Sequence, residues 1–319
     1  VRIQRISILL LLALALAAPF VVYPVFLMKA LCFALFASAF NLLLGYVGLL
    51  SFGHAAYFGF AAYICGHAVK IWGFPPEAGL LAGTAVAGLL GLVFGWLAIR
   101  RQGIYFAMIT LALAQMIYFL CVQAPFTHGE DGIQAIPRGR LLGVVDLTDN
   151  LSMYYLVLAV FILGLLIVRR AVSSPFGQVL KAIRENDARA TSLGYDVDRF
   201  KLMAFVLSAS LSGLAGALKS LVFQLASLTD VHWHASGEVV LMTLLGGVGT
   251  VLGPSVGAFL VVTIQNYLAE VGAWVTIIQG GIFVVCVLTF RRGIVGEVKL
   301  WWQRRSGAMP PPASGGPAH

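Results

Sequence analysis

The sequence predicts an all-α polytopic membrane protein of about ten spanning helices (eight to ten), and three observations carry that prediction. Apolar residues make up 60% of the 319 residues and charged residues only 11%, against about 45–50% and about 25% in an ordinary soluble domain. Mean hydropathy is +0.93, so no soluble fold of this length could cover its surface with polar groups. The apolar residues also fall in runs long enough to span a bilayer, roughly 20 residues each, with the basic residues gathered between them.

Taken in order, charges and Gly/Pro breaks delimit the runs Ile6–Met28, Ala30–Val47, Phe52–Val69, Ala78–Ile99, Ile104–Ala124, Leu151–Val168, Leu202–Gln224, Val239–Leu252, Ser255–Val271 and Ala273–Phe290. The first follows Arg2 and Arg5 and is longer than a signal-peptide core, so it reads as a retained span. The eighth is short and reads as broken or re-entrant, which requires protein or a water cavity around its free backbone groups.

The net charge of +8 comes from 21 Lys+Arg against 13 Asp+Glu. Its placement between spans reads as orientation against an anionic leaflet, not as nucleic-acid binding. Arg2 and Arg5 place the N-terminus inside. Ten spans then put Arg100–Arg101, Arg169–Arg170 and Arg291–Arg292 inside as well, and the 125–150 loop outside. The C-terminus also falls in the cytoplasm. Lys29 dissents and is read as snorkelling from a helix end. The chain divides into one permease-like transmembrane domain, 1–296, and a tail, 297–319, expected to be disordered from about 306 because it is rich in Pro, Gly and Ala.

The inner segment 170–201 is unusual. It alternates charge sign and places Leu180, Ile183 and Ala190 at helical spacing, with Gly194 as the residue just past the helix end. It reads as one short amphipathic helix at the inner surface, either an anchor or a docking element for a cytoplasmic protein.

No catalytic constellation emerges. Cys32, Cys65, Cys121 and Cys286 lie in apolar runs with no C-x-x-C pair, so they read as packing residues. His232-Trp233-His234 reads as an outer-loop feature without a supporting metal motif. There is no Walker A sequence, so the chain itself holds no P-loop ATP site. Asn41 and Gln115 lie well inside spans and are the leading candidates to line a translocation path, together with His54. Two glycine clusters, Gly45 to His54 and Gly246 to Pro254, share a Gly-x-Val-Gly or Gly-Val-Gly pattern and hint at a repeat about a central path. From them Gly48, Gly53, Gly247 and Gly249 join the path candidates.

Five stretches resemble the permease subunits of branched-chain (hydrophobic) amino acid ABC importers, over nearly all of residues 30–296. They are FNLLLGYVGLLSFGHAA at 40–56, GIYFAMITLA at 103–112, SPFG at 174–177 with KAIREN at 181–186, SLGY at 192–195, and GGVGT at 246–250 with Gly253-Pro254. The subunit type resembled is the one that pairs with a second, homologous permease. The resemblance implies a coupling helix between spans 6 and 7. It would contact an ATPase through Ser174, Pro175, Phe176, Gly177, Lys181, Arg184, Glu185, Asn186, Asp187, Ala188 and Gly194. The ATPase-docking pattern of such permeases is matched only loosely, with Asp187-Ala188 leading to Gly194 one residue late. The implied assembly holds a second permease, two cytoplasmic ATPases that bind the ATP, and an external solute-binding protein, in a bacterial inner membrane. This chain would be a non-catalytic transport subunit with no cofactor or metal of its own, touching lipid but no nucleic acid. Relatives for urea, short amides or aromatic acids, and an ion-coupled secondary transporter, stand as alternative readings.

Overall fold

The computed structural model describes residues 15–268, 277–278, 280–281, 284 and 293–297. Helices dominate. They are α1 (Pro24–Asn41), continued by a wider π-helical turn (Leu42–Val47), α2 (His54–Lys70), α3 (Pro76–Ala98), α4 (Ile104–Gln123), α5 (Asn150–Ser173), α6 (Pro175–Glu185), α7 (Asp187–Ser192), α8 (Val197–Phe223), α9 (Leu228–Val231), α10 (Trp233–Gly246) and α11 (Gly253–Leu268). The strands β1 (Arg140–Leu141) and β2 (Val145–Asp146) form a two-residue antiparallel hairpin in the 125–150 loop. Five segments are long and apolar enough to cross a membrane: Pro24–Val47, Pro76–Ala98, Ile104–Gln123, Asn150–Ser173 and Val197–Phe223.

The helix α1 is the axis of the bundle. From Leu27 onward nearly every residue is buried, polar Ser38 and Asn41 included. A helix apolar all round belongs at the centre of a bundle, and α5, α8, α10 and α11 all pack against it. The helices α2, α3 and α8 form a second layer through small residues: a Cβ on Gly213 would strike Ala87, and one on Gly83 would come within 2.8 Å of the Ala61 carbonyl. Close backbone approach of this kind replaces the hydrophobic drive that lipid does not supply. By contrast α4 leaves Ile104, Tyr105, Met108, Met116 and Phe119 exposed.

The two ends of the bundle are distinct. At one end the 100–103 turn, the α6–α7 segment and the 247–252 turn gather around the end of α1. At the other, Ile133 pairs with Ala226, Arg138 donates to the Val222 carbonyl at 2.7 Å, and Lys70 donates to the Gln134 carbonyl at 2.8 Å. The 125–150 loop is therefore strapped across the ends of α2 and α8.

Four expectations need correction. The break near the N-terminus lies at Val21–Tyr23, not at Lys29, because Pro24 opens α1 as its first residue, where its missing N–H costs nothing. Lys29 is thus a residue of α1. The inner segment is two helices, not one. Asn186, in extended conformation, breaks it and its side chain caps α7 by accepting from the Arg189 N–H at 2.9 Å. The eighth run starts earlier than Val239, since Trp233 and His234 lie in α10 and His232 caps it. The ninth run begins at Gly253. Residues 6–14 of the first run, most of the tenth, and the tail from 298 lie outside the described residues.

Candidate coupling site and its membrane joint

The inner segment is held to the bundle by its apolar face. Leu180, Ile183 and Ala190 are all buried, as their spacing foretold, although they now sit on two helices. Ser174 caps α6 in extended conformation and Pro175 occupies its first position. Phe176 stacks on Phe200 of α8 at 5.8 Å. Gly177 is buried against the end of α5, where a Cβ would collide with the Val172 carbonyl. Gly194 lies just past the α7 end with φ +87°, and Tyr195 N–H closes the turn on the Ala190 carbonyl at 3.2 Å. Lys181, Glu185, Asn186 and Ala188 remain exposed and form the free face of the segment.

Two charged residues of the segment reach the bundle, Arg184, itself exposed, and half-buried Asp187. Arg184 Nη1 donates to the Gly45 carbonyl within the π-helical turn. A π turn leaves carbonyls off the ordinary ladder, available to an outside donor. Asp187 Oδ2 accepts from Lys201 Nζ at 2.5 Å and from Gln102 Nε2, with the side chains 27% and 3% exposed for Asp187 and Lys201. This network ties α7, α8 and the α3–α4 turn together.

Asn41 stands directly behind Arg184. Its Nδ2 donates to the Thr250 carbonyl at 2.8 Å and its Oδ1 accepts from the Gly249 N–H at 2.9 Å. The amide is thus spent on backbone and locks the 247–252 turn to the end of α1. Gly45 admits this contact, since a Cβ there would lie 2.6 Å from the Gly249 nitrogen. Gly249 itself has φ +78°, and a Cβ on it would lie 3.4 Å from Arg184 Nη1; one on Gly48, with φ +82°, would meet the Arg184 stem. The two glycine clusters singled out in the sequence therefore meet each other, with Arg184 at their junction. Gly247, with φ +120°, ends α10.

The other path candidates are dispersed. His54 is buried among the rings of Phe40, Tyr57 and Phe205. Ser208 Oγ donates to the Ala39 carbonyl at 2.6 Å, so it receives the His54 Nε2–H at 2.9 Å, and His54 Nδ1 is left buried and unpartnered among the described residues. Gly53 packs against Thr110, whose carbonyl would lie 3.0 Å from a Cβ. Gln115 is half-buried on α4. An open apolar groove of about 470 Å³ runs along the first two turns of α4, lined by Gly48, Leu50, Phe52, Ile104, Met108 and Leu111 among others, and Gln115 is not part of its lining.

Sequence reasoning missed Lys201, Gln102 and Thr250. Lys201 was legible only as one more charge in a mixed run and Thr250 only as the last residue of the GGVGT stretch, while Gln102 carries no pattern of its own.

A family model described as the permease component of branched-chain amino acid transport systems matches residues 24–287. The high-affinity branched-chain amino acid transport system permease protein LivM of Escherichia coli is 26% identical, over 96% of this chain and 78% of its own length. The probable LivM of Methanocaldococcus jannaschii is 27% identical over 59% of this chain. The ribose import permease protein RbsC of Bacillus subtilis is 29% identical over 56%. No solved structure matches. Multi-pass, predominantly helical and a transport subunit by kinship, this chain belongs to the family of branched-chain amino acid transport permeases.

Proposed function

We propose that this chain is one of two homologous permeases of an ATP-driven importer for leucine, isoleucine and valine, and that residues 170–201 are the part an ATPase pushes. The observation that carries the reading is the joint at Arg184. A surface segment whose apolar face is buried presents Lys181, Glu185, Asn186 and Ala188 outward, while Arg184 reaches the carbonyl of Gly45 inside the bundle. A displacement imposed on the free face is then carried to the end of α1 and, through Asn41, to the 247–252 turn. Coupling between two sites needs an element that both sites bias; α1, with its π turn, fits that role.

In this reading the end bearing Arg100, Arg101, Arg169 and Arg170 is cytoplasmic, and the 125–150 loop faces an external solute-binding protein. Both termini are cytoplasmic and the membrane is the bacterial inner membrane. In this reading the span count is ten. ATP is bound by the partner ATPases, and the permease does no covalent chemistry. Uptake of radiolabelled leucine by cells expressing this chain with its partners tests the reading. Uptake requiring an ATPase, a second permease and a binding protein is expected; uptake by this chain alone on an ion gradient contradicts it.

A further inference from the structure

The face of α3 that the bundle leaves open sets the depth of the membrane around it. Leu81, Ala85, Leu89, Val93 and Trp96 recur at helical spacing and are all exposed. No charged residue lies between Glu77 and Arg100. The Arg100 guanidinium lies over the Trp96 ring, 4.9 Å from its centre, which marks one headgroup level, since Trp gathers at membrane–water interfaces and Arg reaches past them to water. Glu77 stands 19 residues before Trp96 on the same helix. That is about 28 Å along the axis, against about 30 Å for a hydrocarbon core. The other headgroup level therefore falls at the start of α3. Trp72 and Phe74, in the turn just before it, are exposed there with ring centres 5.7 Å apart, as in an aromatic belt.

The hairpin of the 125–150 loop is fastened at this level. The Leu142 N–H donates to Glu77 Oε1 at 3.3 Å, and a Cβ on Gly139 would lie 3.3 Å from Pro76. The tip is apolar and open: Leu142 is 77% exposed and Val144 84%. Its turn is closed by the Val144 N–H on the Leu141 carbonyl at 3.0 Å, with Leu142 at φ +50° and Gly143 at φ +74°. A hairpin turn with both central residues at positive φ favours Asn or Asp followed by Gly. Leucine in that first place forgoes the side chain that would fit the backbone and meet water. Between Arg140 and Asp146 no side chain can form a hydrogen bond, and Leu and Val are under-represented among the anchors of protein interfaces. Aliphatic side chains held open at a headgroup level, continuous with the apolar face of α3 below them, match acyl chains.

We propose that the tip of this hairpin, Leu142 and Val144 foremost, is a membrane anchor. It dips into the headgroup–acyl boundary of the leaflet at the end of the bundle opposite the coupling segment, beside Trp72 and Phe74, and its occupant is lipid. Arg140 and Asp146, register partners at the base of the hairpin, stay among the headgroups. The loop is then held from two sides, by lipid at its tip and by the Ile133 and Arg138 bonds across the bundle. The anchor goes beyond the importer reading and does not depend on the direction of transport.

The test uses the complete assembly in bilayers. Val144→Cys carries an environment-sensitive NBD dye, and Glu130→Cys, at an exposed position of the same loop, is the reference; the wild type labelled alike sets the background from native cysteines. Lipids with a nitroxide near the headgroup are expected to quench the dye at 144 severalfold more than at 130, and aqueous iodide to quench it severalfold less. Leu142→Cys gives the same reading if the Val144 variant does not assemble. Equal quenching at the tip and at 130 overturns the anchor. So does a tip shielded from iodide without lipid quenching, which would place the second permease or an external protein on it.

Discussion

Asn41 shows how residue-scale geometry changes a reading. In the sequence it is a polar residue deep in an apolar run, which marks it as a candidate for a wet path. In the fold both ends of its amide are consumed by the backbone of the 247–252 turn. Asn41→Leu removes the hydrogen bonds to the half-buried Gly249 N–H and Thr250 carbonyl, at about 0.5–1.5 kcal/mol for each bond. The purified assembly should melt measurably earlier, and Gly45→Ala should do the same because its Cβ meets Gly249. A second residue-scale prediction concerns Asp146 in the exposed hairpin. The Thr148 backbone N–H and then its hydroxyl, both donating to Oδ1, hold the Asp146 carboxyl below the ordinary aspartate value. Because the folded value is the lower one, the contribution to loop order is present above the ordinary value and lost as pH falls through the folded one. Carboxyl NMR of the labelled protein should show this low titration, and Thr148→Val should raise it. No residue pattern reveals Asn41's partners, since they lie more than 200 positions away; the Asx-type turn at 146–148 is local and readable.

At the scale of elements, periodicity did well where the membrane sets the pattern and failed where special residues break it. Leu180, Ile183 and Ala190 were legible as a buried face because helical spacing alone places them. The break at Asn186 was not, because a residue that caps one helix and ends another looks in sequence like any surface asparagine. Pro24 likewise outranked Lys29 as the true boundary, since ring sterics terminate helices and a long charged side chain does not. The α7–α8 contact carries its own prediction. Lys201→Met removes the partner of a partly buried Asp187 and should destabilise the assembly by up to about 3 kcal/mol, less the share that water returns to the exposed part of that carboxylate. Pairing it with Asp187→Leu should recover part of the loss in a double-mutant cycle by thermal melting. An additive result would show that the ion pair does not hold the segment.

For the whole molecule, composition and run length were enough to read a helical membrane protein, and the five long apolar helices agree. The resemblance seen in the FNLLLGYVGLLSFGHAA and GGVGT stretches is carried by the family match over 24–287. What no stretch of sequence revealed is that those two motifs touch, and that Arg184 of the surface segment sits where they meet. That junction ties the proposed site of ATPase force to the helix at the centre of the bundle, so its loss should separate hydrolysis from transport. The most direct measurement is leucine uptake per ATP hydrolysed by the reconstituted assembly carrying Arg184→Met. Hydrolysis stimulated as in the wild type, with uptake per ATP reduced at least about tenfold, is the predicted result, since a charge-assisted hydrogen bond is worth about 1.5–3 kcal/mol. An unchanged ratio of uptake to hydrolysis would contradict it.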